Sequence, residues 1–297
     1  MTATTQEQLQ KAKTLAEALP YMKQFSGEVF VIKFGGSAMG SRELMQNFAR
    51  DVVLLKQVGI NPIIVHGGGP QISQMLEKLK IRSSFVDGLR VTDKETVEIV
   101  EMVLCGSINK QIVTEINLAG GFAVGLSGKD GNLISAEKIS RKKSDPDSNI
   151  EQILDLGFVG EPTKVNPHIL KIFENSDIIP VVAPIGRGDD GETYNINADS
   201  AAGAIASAVT ARKLIMLSDV PGVLDKDGKL ISKASVATIK KMISNKVITG
   251  GMIPKVETCL DAIKHHSEVV HILDGRVPHV LLLELFTDHG SGTMIVP

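Results

Sequence analysis

Residues 28–72, EVFVIKFGGSAMGSRELMQNFARDVVLLKQVGINPIIVHGGGPQI, decide the fold class. The apolar run Val29–Lys33 gives way to Gly35-Gly36. A helix-spaced segment around Arg42–Val58 follows, with Leu44, Phe48, Val52 and Leu55 on one stripe and Gly59 as its stop. A second apolar run, Pro62–Val65, leads through His66-Gly67-Gly68-Gly69 into another helix-spaced segment carrying Ile72, Met75, Leu76 and Leu79. Short continuous apolar runs separated by amphipathic helices predict βαβ units in a largely parallel sheet covered on both faces.

The same alternation extends outward. Thr92-Asp93-Lys94-Glu95 reads as a capping box opening a helix, and Gly120-Gly121 stops a further helix before strand Phe122–Leu126. GNLISAEKI and ILDLGFVGE read as hairpin strands around a polar loop, residues 141–149. Helix Pro167–Glu174, strand Ile178–Ala183, helix Asp199–Val209 and strand Lys213–Leu217 follow. Asp227-Gly228 is a hairpin signal, helices are expected near 235–243 and 252–264, and strands near Val269–Leu273 and Thr293–Val296. A second lobe is expected to start near residue 211. Ahead of the first strand, residues 5–19 form a short amphipathic helix with Leu9, Ala12, Ala16 and Leu19 on one stripe and Pro20 just beyond it. Two readings of that helix stand side by side: an arm that packs on a partner, or a helix lying on its own subunit.

Composition sets the outer bounds. The 297 residues carry a formal charge of −2, which argues against a surface built to grip nucleic-acid phosphates. With Trp 0 and Tyr 2 there are few platforms on which single-stranded bases could stack. Cys105 and Cys259 are too few for a disulfide framework and match no metal spacing, so a reducing cytoplasm is the simplest home. No apolar stretch approaches the roughly 18 residues of a membrane span, and the N-terminus has no apolar core of a secretory signal.

Two glycine patterns are decoys. Gly186-Arg187-Gly188-Asp189-Asp190-Gly191 fits the dinucleotide fingerprint, but polar, extended ETYNIN follows it where an apolar helix is required. Gly35–Gly40 has the spacing of a P-loop, yet Ser41-Arg42 stands where Lys-Ser/Thr is needed. The informative pattern is different: several glycine loops sit at strand ends, each beside a cation or polar group. In His66-Gly67-Gly68-Gly69 the bare backbone can approach an anion, and a helix N-terminus adds partial positive charge. Three consecutive glycines exceed what a strand-to-helix turn requires. Lys33 ends a strand beside Gly35-Gly36, where open α/β sheets place ligands. Lys255 falls in the first turn of a helix, a position that disfavours a cation unless an anion is bound there. Asn195 and Asn197 share one face of an extended segment before Asp199, which otherwise reads as a helix N-cap. Ser218–Leu224 forms a turn at a strand end suited to holding a nucleotide. His265, His266 and His271 cluster without a metal-ligand spacing.

The ordered set VIKFGGSAM, IIVHGGGPQI, DGLRVTD, NINADSAA, LSDVPGVL and TGGMIPKVE resembles the N-acetylglutamate kinases of the amino acid kinase family, from about residue 21 to 297. The resemblance implies an open, mainly parallel αβα sandwich in two lobes: residues 26–210 for the amino-acid substrate and 211–297 for ATP, with residues 1–25 as a helical arm. It implies transfer of the γ-phosphoryl group of MgATP to the side-chain carboxylate of N-acetyl-L-glutamate, a step of arginine biosynthesis. By motif, Lys33 and Lys255 would stabilise the transferring group and Asp199 would orient them. Gly68 and Gly69 would donate N–H groups, while Arg90 and Asn195 would bind the substrate. Gly35, Gly36, Asp219, Val220, Gly222, Leu224, Thr249 and Gly250 would line the nucleotide, which would carry its own Mg²⁺; no protein metal site is expected.

In arginine-sensitive members, an N-terminal extension of this kind interlaces dimers into a hexamer. The C-terminal stretch likewise resembles their arginine-binding segment, with Tyr21, His271, Glu284 and Gly292 as candidate contacts for L-arginine as feedback inhibitor. Some relatives bind the nitrogen-signalling PII protein, which adds a possible partner; nucleic acid and membranes are not expected as partners. The alternatives are a kinase of the same fold acting on another carboxylate, and a non-catalytic ligand sensor. Lys33, Lys255 and Asp199 together argue against the sensor, and a nicotinamide-dependent dehydrogenase would require the GRGDDG decoy to be real.

The chemistry of the implied reaction agrees with the residues. A carboxylate nucleophile is already ionised at neutral pH and needs no general base. The difficulty is bringing two anions together, which calls for positioning and charge neutralisation.

Overall fold

The computed structural model describes residues 3–86, 88–144, 151–264, 267–287 and 290–297. Helix α1 (Ala3–Phe25) precedes β1 (Val29–Phe34), α2 (Arg42–Gln57), β2 (Asn61–His66) and α3 (Gly69–Lys78). A small hairpin, β3 (Phe85–Val86) and β4 (Leu89–Arg90), leads to α4 (Lys94–Glu101), a π-helical turn (Met102–Ile108), α5 (Asn109–Leu118) and β5 (Phe122–Ser127). Then come β6 (Ile134–Ser144), β7 (Glu151–Val165), α6 (His168–Glu174), β8 (Ile178–Ala183), β9 (Ile185–Arg187), β10 (Thr193–Ile196) and α7 (Ala198–Ala208). The chain closes with β11 (Lys213–Ser218), β12 (Lys233–Ser235), α8 (Val236–Ser244), α9 (Met252–Lys264), β13 (Val269–Asp274), α10 (Val280–Phe286) and β14 (Thr293–Val296).

The main sheet has the order β12-β14-β13-β11-β1-β2-β8-β5. Only β13–β14 is antiparallel within it. β1 lies at the centre, paired with β2 on one side and β11 on the other, so the sheet is continuous across the expected lobe boundary near residue 211. The period of a strand explains its two cores. Phe30, Ile32 and Phe34 of β1 join a cluster with Phe48 and Val52 of α2 and Ile112 and Ile116 of α5. Val31 points the other way, into a cluster with Ala201, Ala202 and Ile205 of α7 and Val256 and Cys259 of α9. Lys33, two residues after Val31, therefore leaves the sheet on the α7 side. Phe34 and Phe48 stack with ring centroids 3.9 Å apart.

α2 forms as its pattern requires. Ser41 caps it by accepting from Leu44 N at 3.3 Å, and Gly59 follows its end with a φ of +90° that a side chain would strain. α7 is built almost wholly of small residues, so it can approach α9 closely. A Cβ added at Gly203 would stand 2.9 Å from Thr258 Cγ2. That contact lies one helical turn from Asp199 in α7 and just under a turn from Lys255 in α9, so it draws these two side chains together.

Four expectations change. α1 does not stop before Pro20 but continues through it to Phe25. Its last turns are anchored where Ala18, Tyr21, Met22 and Phe25 pack on the core, while Leu9, Leu15 and Leu19 are exposed. The cap of α4 is Asp93, which accepts from Thr96 N at 2.8 Å, not Thr92. The stretch 141–149 is not simply a loop: β6 runs to Ser144 and β7 begins at Glu151, while residues 145–150 lie outside the described residues, as do His265 and His266. Finally, β6, β7, β9 and β10 close a small barrel that the hairpin pattern alone did not signal. The GRGDDG decoy is the turn of the β9–β10 hairpin within it. No helix among the described residues is long and apolar enough to cross a membrane.

Candidate active site

Asp199 sits in the first turn of α7. Its helix is capped by Asn197, whose Oδ1 accepts from Asp199 N at 2.8 Å and Ser200 N at 3.4 Å. The cap expected of Asp199 is thus supplied by a neighbour, and the Asp199 carboxylate is left for other partners. Lys33 Nζ lies 3.0 Å from its Oδ1 and Lys255 Nζ 3.2 Å from its Oδ2. Burial alone would raise the Asp199 carboxyl, but the two ammonium groups outweigh it and hold the group below the usual carboxylate range. The carboxylate is therefore ionised at neutral pH and is no proton acceptor. It binds one lysine from each half of the chain and fixes the separation of their charges.

Lys33 also rests on glycine. A Cβ at Gly35 would come 2.7 Å from Lys33 Nζ, so any side chain there displaces the ammonium. Gly67 N donates to Phe34 O at 2.8 Å, which ties the β2 glycine loop to the end of β1. Gly68 precedes α3 and Gly69 begins it, and neither N–H has a partner among the described residues. Two free donors at a helix N-terminus beside a lysine are suited to an anion.

Arg90 closes the opposite wall. It is buried, and its Nη2 donates to Gly69 O at 3.0 Å and to Ser73 Oγ at 2.7 Å, while Nη1 donates to Ser83 Oγ. The guanidinium stacks over the Phe85 ring, 4.5 Å from its centroid. No carboxylate pairs with it among the described residues. Burial lowers its pKa, yet a guanidinium stays charged, so this buried cation invites an anionic ligand.

Lys33, Gly67–Gly69, Arg90, Asn195 and Asp199 line one cavity of ≈ 200 Å³, with Ile72, Leu104 and Val159 as apolar walls. A neighbouring cavity of ≈ 520 Å³ shares Asn197 and Asp199 with it and adds Gly251 and Lys255. All seven predicted catalytic and substrate-binding residues thus line one or other of these neighbouring cavities, with Asp199 lining both. The predicted nucleotide residues Asp219, Val220, Gly222, Leu224, Thr249 and Gly250 line neither cavity. Asp219 approaches Gly36: a Cβ there would stand 3.8 Å from Asp219 N. Gly222 has a packing reason of its own, because at φ +144° an added Cβ would meet Thr293 Oγ1 at 2.5 Å and Leu230 Cδ1 at 2.7 Å.

The predicted arginine contacts divide similarly. His271 Nδ1 lies 2.6 Å from Glu284 Oε1, and Ser291 N donates to Glu284 Oε2 at 2.7 Å. Lys213 Nζ lies 3.2 Å from His271 Nε2 and 5.0 Å from the centroid of Phe25, so the end of α1 reaches this cluster. Burial lowers the His271 pKa and leaves the ring neutral. Gly292 packs against the backbone of β13, where a Cβ would collide with Ile272 O. Tyr21 lies on α1, packed against the core.

Sequence reading assigned no role to Ser73, Ser83 or Lys213, and it placed Asn197 beside Asn195 on one face without marking it as the cap of α7. Asn197 was visible as an Asx residue two before Asp199. Ser73 lies four residues after Gly69, a spacing that puts it over the same helical turn, whereas nothing local marks Ser83.

A parallel sheet with buried cations and free N–H groups gathered at its carboxyl edge has the chemistry that an anionic substrate requires. The amino acid kinase family profile matches residues 28–274. The acetylglutamate kinase of Rhodospirillum rubrum is 64% identical over 287 residues, covering 97% of this chain and 93% of the relative. That of Rhodospirillum centenum is 63% identical over 290 residues, covering 98% and 95%. The chain belongs to the amino acid kinase family and, within it, to the acetylglutamate kinases. Among solved structures, an N-acetylglutamate synthase from Neisseria gonorrhoeae, complexed with coenzyme A and N-acetyl-glutamate, superposes with a TM-score of 0.83 at 23% identity over 96% of this chain. The chain spans 63% of that protein's length, and the likeness is one of fold.

Proposed function

We propose that the chain transfers the γ-phosphoryl group of MgATP to the side-chain carboxylate of N-acetyl-L-glutamate, forming N-acetylglutamyl phosphate and ADP in the cytoplasmic route to arginine. One observation carries the reading: Asp199 holds Lys33 at 3.0 Å and Lys255 at 3.2 Å beside the free N–H groups of Gly68 and Gly69. Arg90 and Asn195 hold the substrate, Arg90 through its α-carboxylate. Lys33, Lys255 and the glycine N–H groups balance the negative charge that builds between the reacting oxygens. Such a corner fits a phosphoryl group, and the nucleotide brings Mg²⁺ on its own phosphates. The acceptor is already ionised, and Asp199, held ionised by its lysines, keeps them apart and removes no proton.

Residues 26–210 form the substrate half and 211–297 the nucleotide half, with Gly35, Gly36, Asp219, Val220, Gly222, Leu224, Thr249 and Gly250 around the nucleotide. The test is to supply MgATP and N-acetylglutamate with hydroxylamine and to measure the hydroxamate of the acyl phosphate. Formation is expected with N-acetylglutamate. Much faster formation with glutamate or aspartate would refute the substrate.

Regulation by L-arginine belongs to the same reading. The buried His271–Glu284 pair, Lys213 and the end of α1 form a polar cluster under the N-terminal arm. The exposed Leu9, Leu15 and Leu19 give that arm an apolar stripe for a neighbouring dimer in a hexamer. Deleting residues 1–25 is expected to reduce the assembly to dimers and to blunt the arginine response. A hexamer that survives the deletion would contradict the arm's role.

A further inference from the structure

One buried titratable group beside the anion corner has no part in this mechanism. His66 ends β2, is fully buried, and is pushed down to about 4 by burial, so its ring is neutral. Its Nδ1 lies 2.9 Å from Gly67 O. A carbonyl oxygen only accepts, so Nδ1 carries the ring proton and Nε2 is left as an acceptor. That acceptor faces Asn109 Nδ2 at 3.2 Å. The same amide nitrogen lies 2.9 Å from Val181 O and 3.3 Å from Leu126 O, so its two hydrogens serve three acceptors with one hydrogen shared, while Asn109 Oδ1 accepts from Lys110 Nζ at 3.2 Å. Acceptors surround the NH₂ group and a donor meets the oxygen, so the amide has one orientation and the ring one tautomer.

Peptide geometry carries this order to the site. In a trans peptide the Gly67 carbonyl and the Gly68 N–H lie in one plane and point in opposite directions. Fixing the carbonyl toward the buried ring turns the Gly68 N–H away from it, to the cavity side. Gly68 O in turn accepts from Ile72 N at 2.9 Å, which sends the Gly69 N–H outward from the helix by the same rule. Asn109 stands where the π-helical turn ends: its N–H donates to Leu104 O, five residues back. That turn also packs Leu104 and Ile108 against Gly68, where an added Cβ would strike both side chains. A π turn interrupting a helix is a frequent mark of a functional site.

We propose that His66 is a positioning residue of the phosphoryl-transfer site: the imidazole, held by Asn109, fixes the Gly67 carbonyl and so aims the Gly68 N–H at the bound anion. The proposal rests on the phosphoryl-transfer reading above, whereas the ring tautomer can be measured without it.

The test compares His66→Phe with His66→Asn. Asparagine places an N–H donor close to the position of Nδ1 and can still hold the Gly67 carbonyl. His66→Phe is expected to lower kcat roughly 30- to 100-fold, with both KM values within about 3-fold of wild type, as for a misaimed oxyanion donor. His66→Asn is expected to recover kcat to within about 5-fold of wild type. A His66→Phe kcat within about 3-fold of wild type, or an Asn variant no better than the Phe variant at equal folded fraction, would overturn the proposal. If His66→Phe does not fold, Asn109→Asp preserves volume and serves instead. Its carboxylate accepts from Nε2–H, so a ring that is neutral carries no proton on Nδ1, and kcat should fall about 10-fold or more at high pH, where the doubly protonated ring is least populated. Nitrogen NMR of histidine-labelled wild-type enzyme should show the His66 ring protonated at Nδ1 alone between about pH 6 and pH 8. A proton on Nε2 overturns the proposal even in an active enzyme. An enzyme with the expected tautomer that forms no hydroxamate refutes the phosphoryl-transfer reading and, with it, the catalytic role of His66.

Discussion

The carboxyl ends of β1 and β2 and the carboxyl end of β11 are the same feature of one parallel sheet, yet they are built in opposite ways. At β1 and β2, buried and half-buried charged side chains are held in place: Lys33 and Lys255 by Asp199, and Arg90 by Gly69, Ser73 and Ser83. At β11 the turn through Asp219 and Gly222 is shaped by backbone and packing, with Leu224 exposed and Gly222 pressed against Thr293. The difference follows from desolvation. Buried charges must be paired or hydrogen-bonded and fixed before the substrate arrives, because rearranging them during the reaction would raise the barrier. A surface turn carries no such requirement.

The comparison can be broken by substitution. Lys33→Ala should have the largest effect, lowering kcat about 10²- to 10³-fold, the scale of losing one charge-stabilising donor, with the KM for ATP changed only a few-fold. Steady-state kinetics with both substrates saturating would show it, and an unchanged kcat would remove Lys33 from the site. Arg90→Ala should act on binding, raising the KM for N-acetylglutamate on the order of 10- to 100-fold through loss of a charge-assisted contact. If the KM for ATP rose instead, the two sides would have been assigned in reverse. Gly222→Ala should leave kcat per folded molecule nearly intact. It should instead lower stability by about 1–3 kcal/mol through its positive φ and the displaced Thr293, read as a fall in Tm of several degrees. A large loss of ATP affinity without loss of Tm would mean that Gly222 serves the nucleotide by direct contact and not by shaping the turn.

The smallest effect concerns a pair away from both edges. Asp51 in α2 is buried and pushed up to about 6, mainly by burial, although His279 Nδ1 lies 2.6 Å from its Oδ1. A carboxyl whose pKa is raised on folding binds more protons in the native state, so its contribution to stability falls as pH rises from about 4 to 6. The Tm of Asp51→Asn relative to wild type should therefore improve across that interval, by roughly 2–6 °C. A flat difference would mean that His279 fully offsets the burial.

Much of this was legible in the sequence where one local rule acted alone. β1 and β2 were readable as continuous apolar runs, and β14 and α9 fell within the expected bounds. Lys33, the triple glycine and Lys255 were readable because each broke a local rule in a way that an anion would repair. Arg90 was not readable from its own surroundings, since its partners come from α3 and from the stretch before β3. The π turn was hidden because helical spacing continues on both sides of it, and it takes tertiary contacts to reveal what Asn109 touches. Pro20 misled for a related reason: packing of Tyr21, Met22 and Phe25 holds a turn of helix that propensity alone would end.

The central claim is that Asp199 organises two cations and moves no proton. The pH dependence of kcat for Asp199→Asn, with both substrates saturating, tests it most directly. A loss of about 10- to 100-fold is expected, with the shape of the profile between about pH 6 and pH 9 unchanged from wild type. An ascending limb in wild type that vanishes in Asp199→Asn would instead make Asp199 a general base and contradict the account.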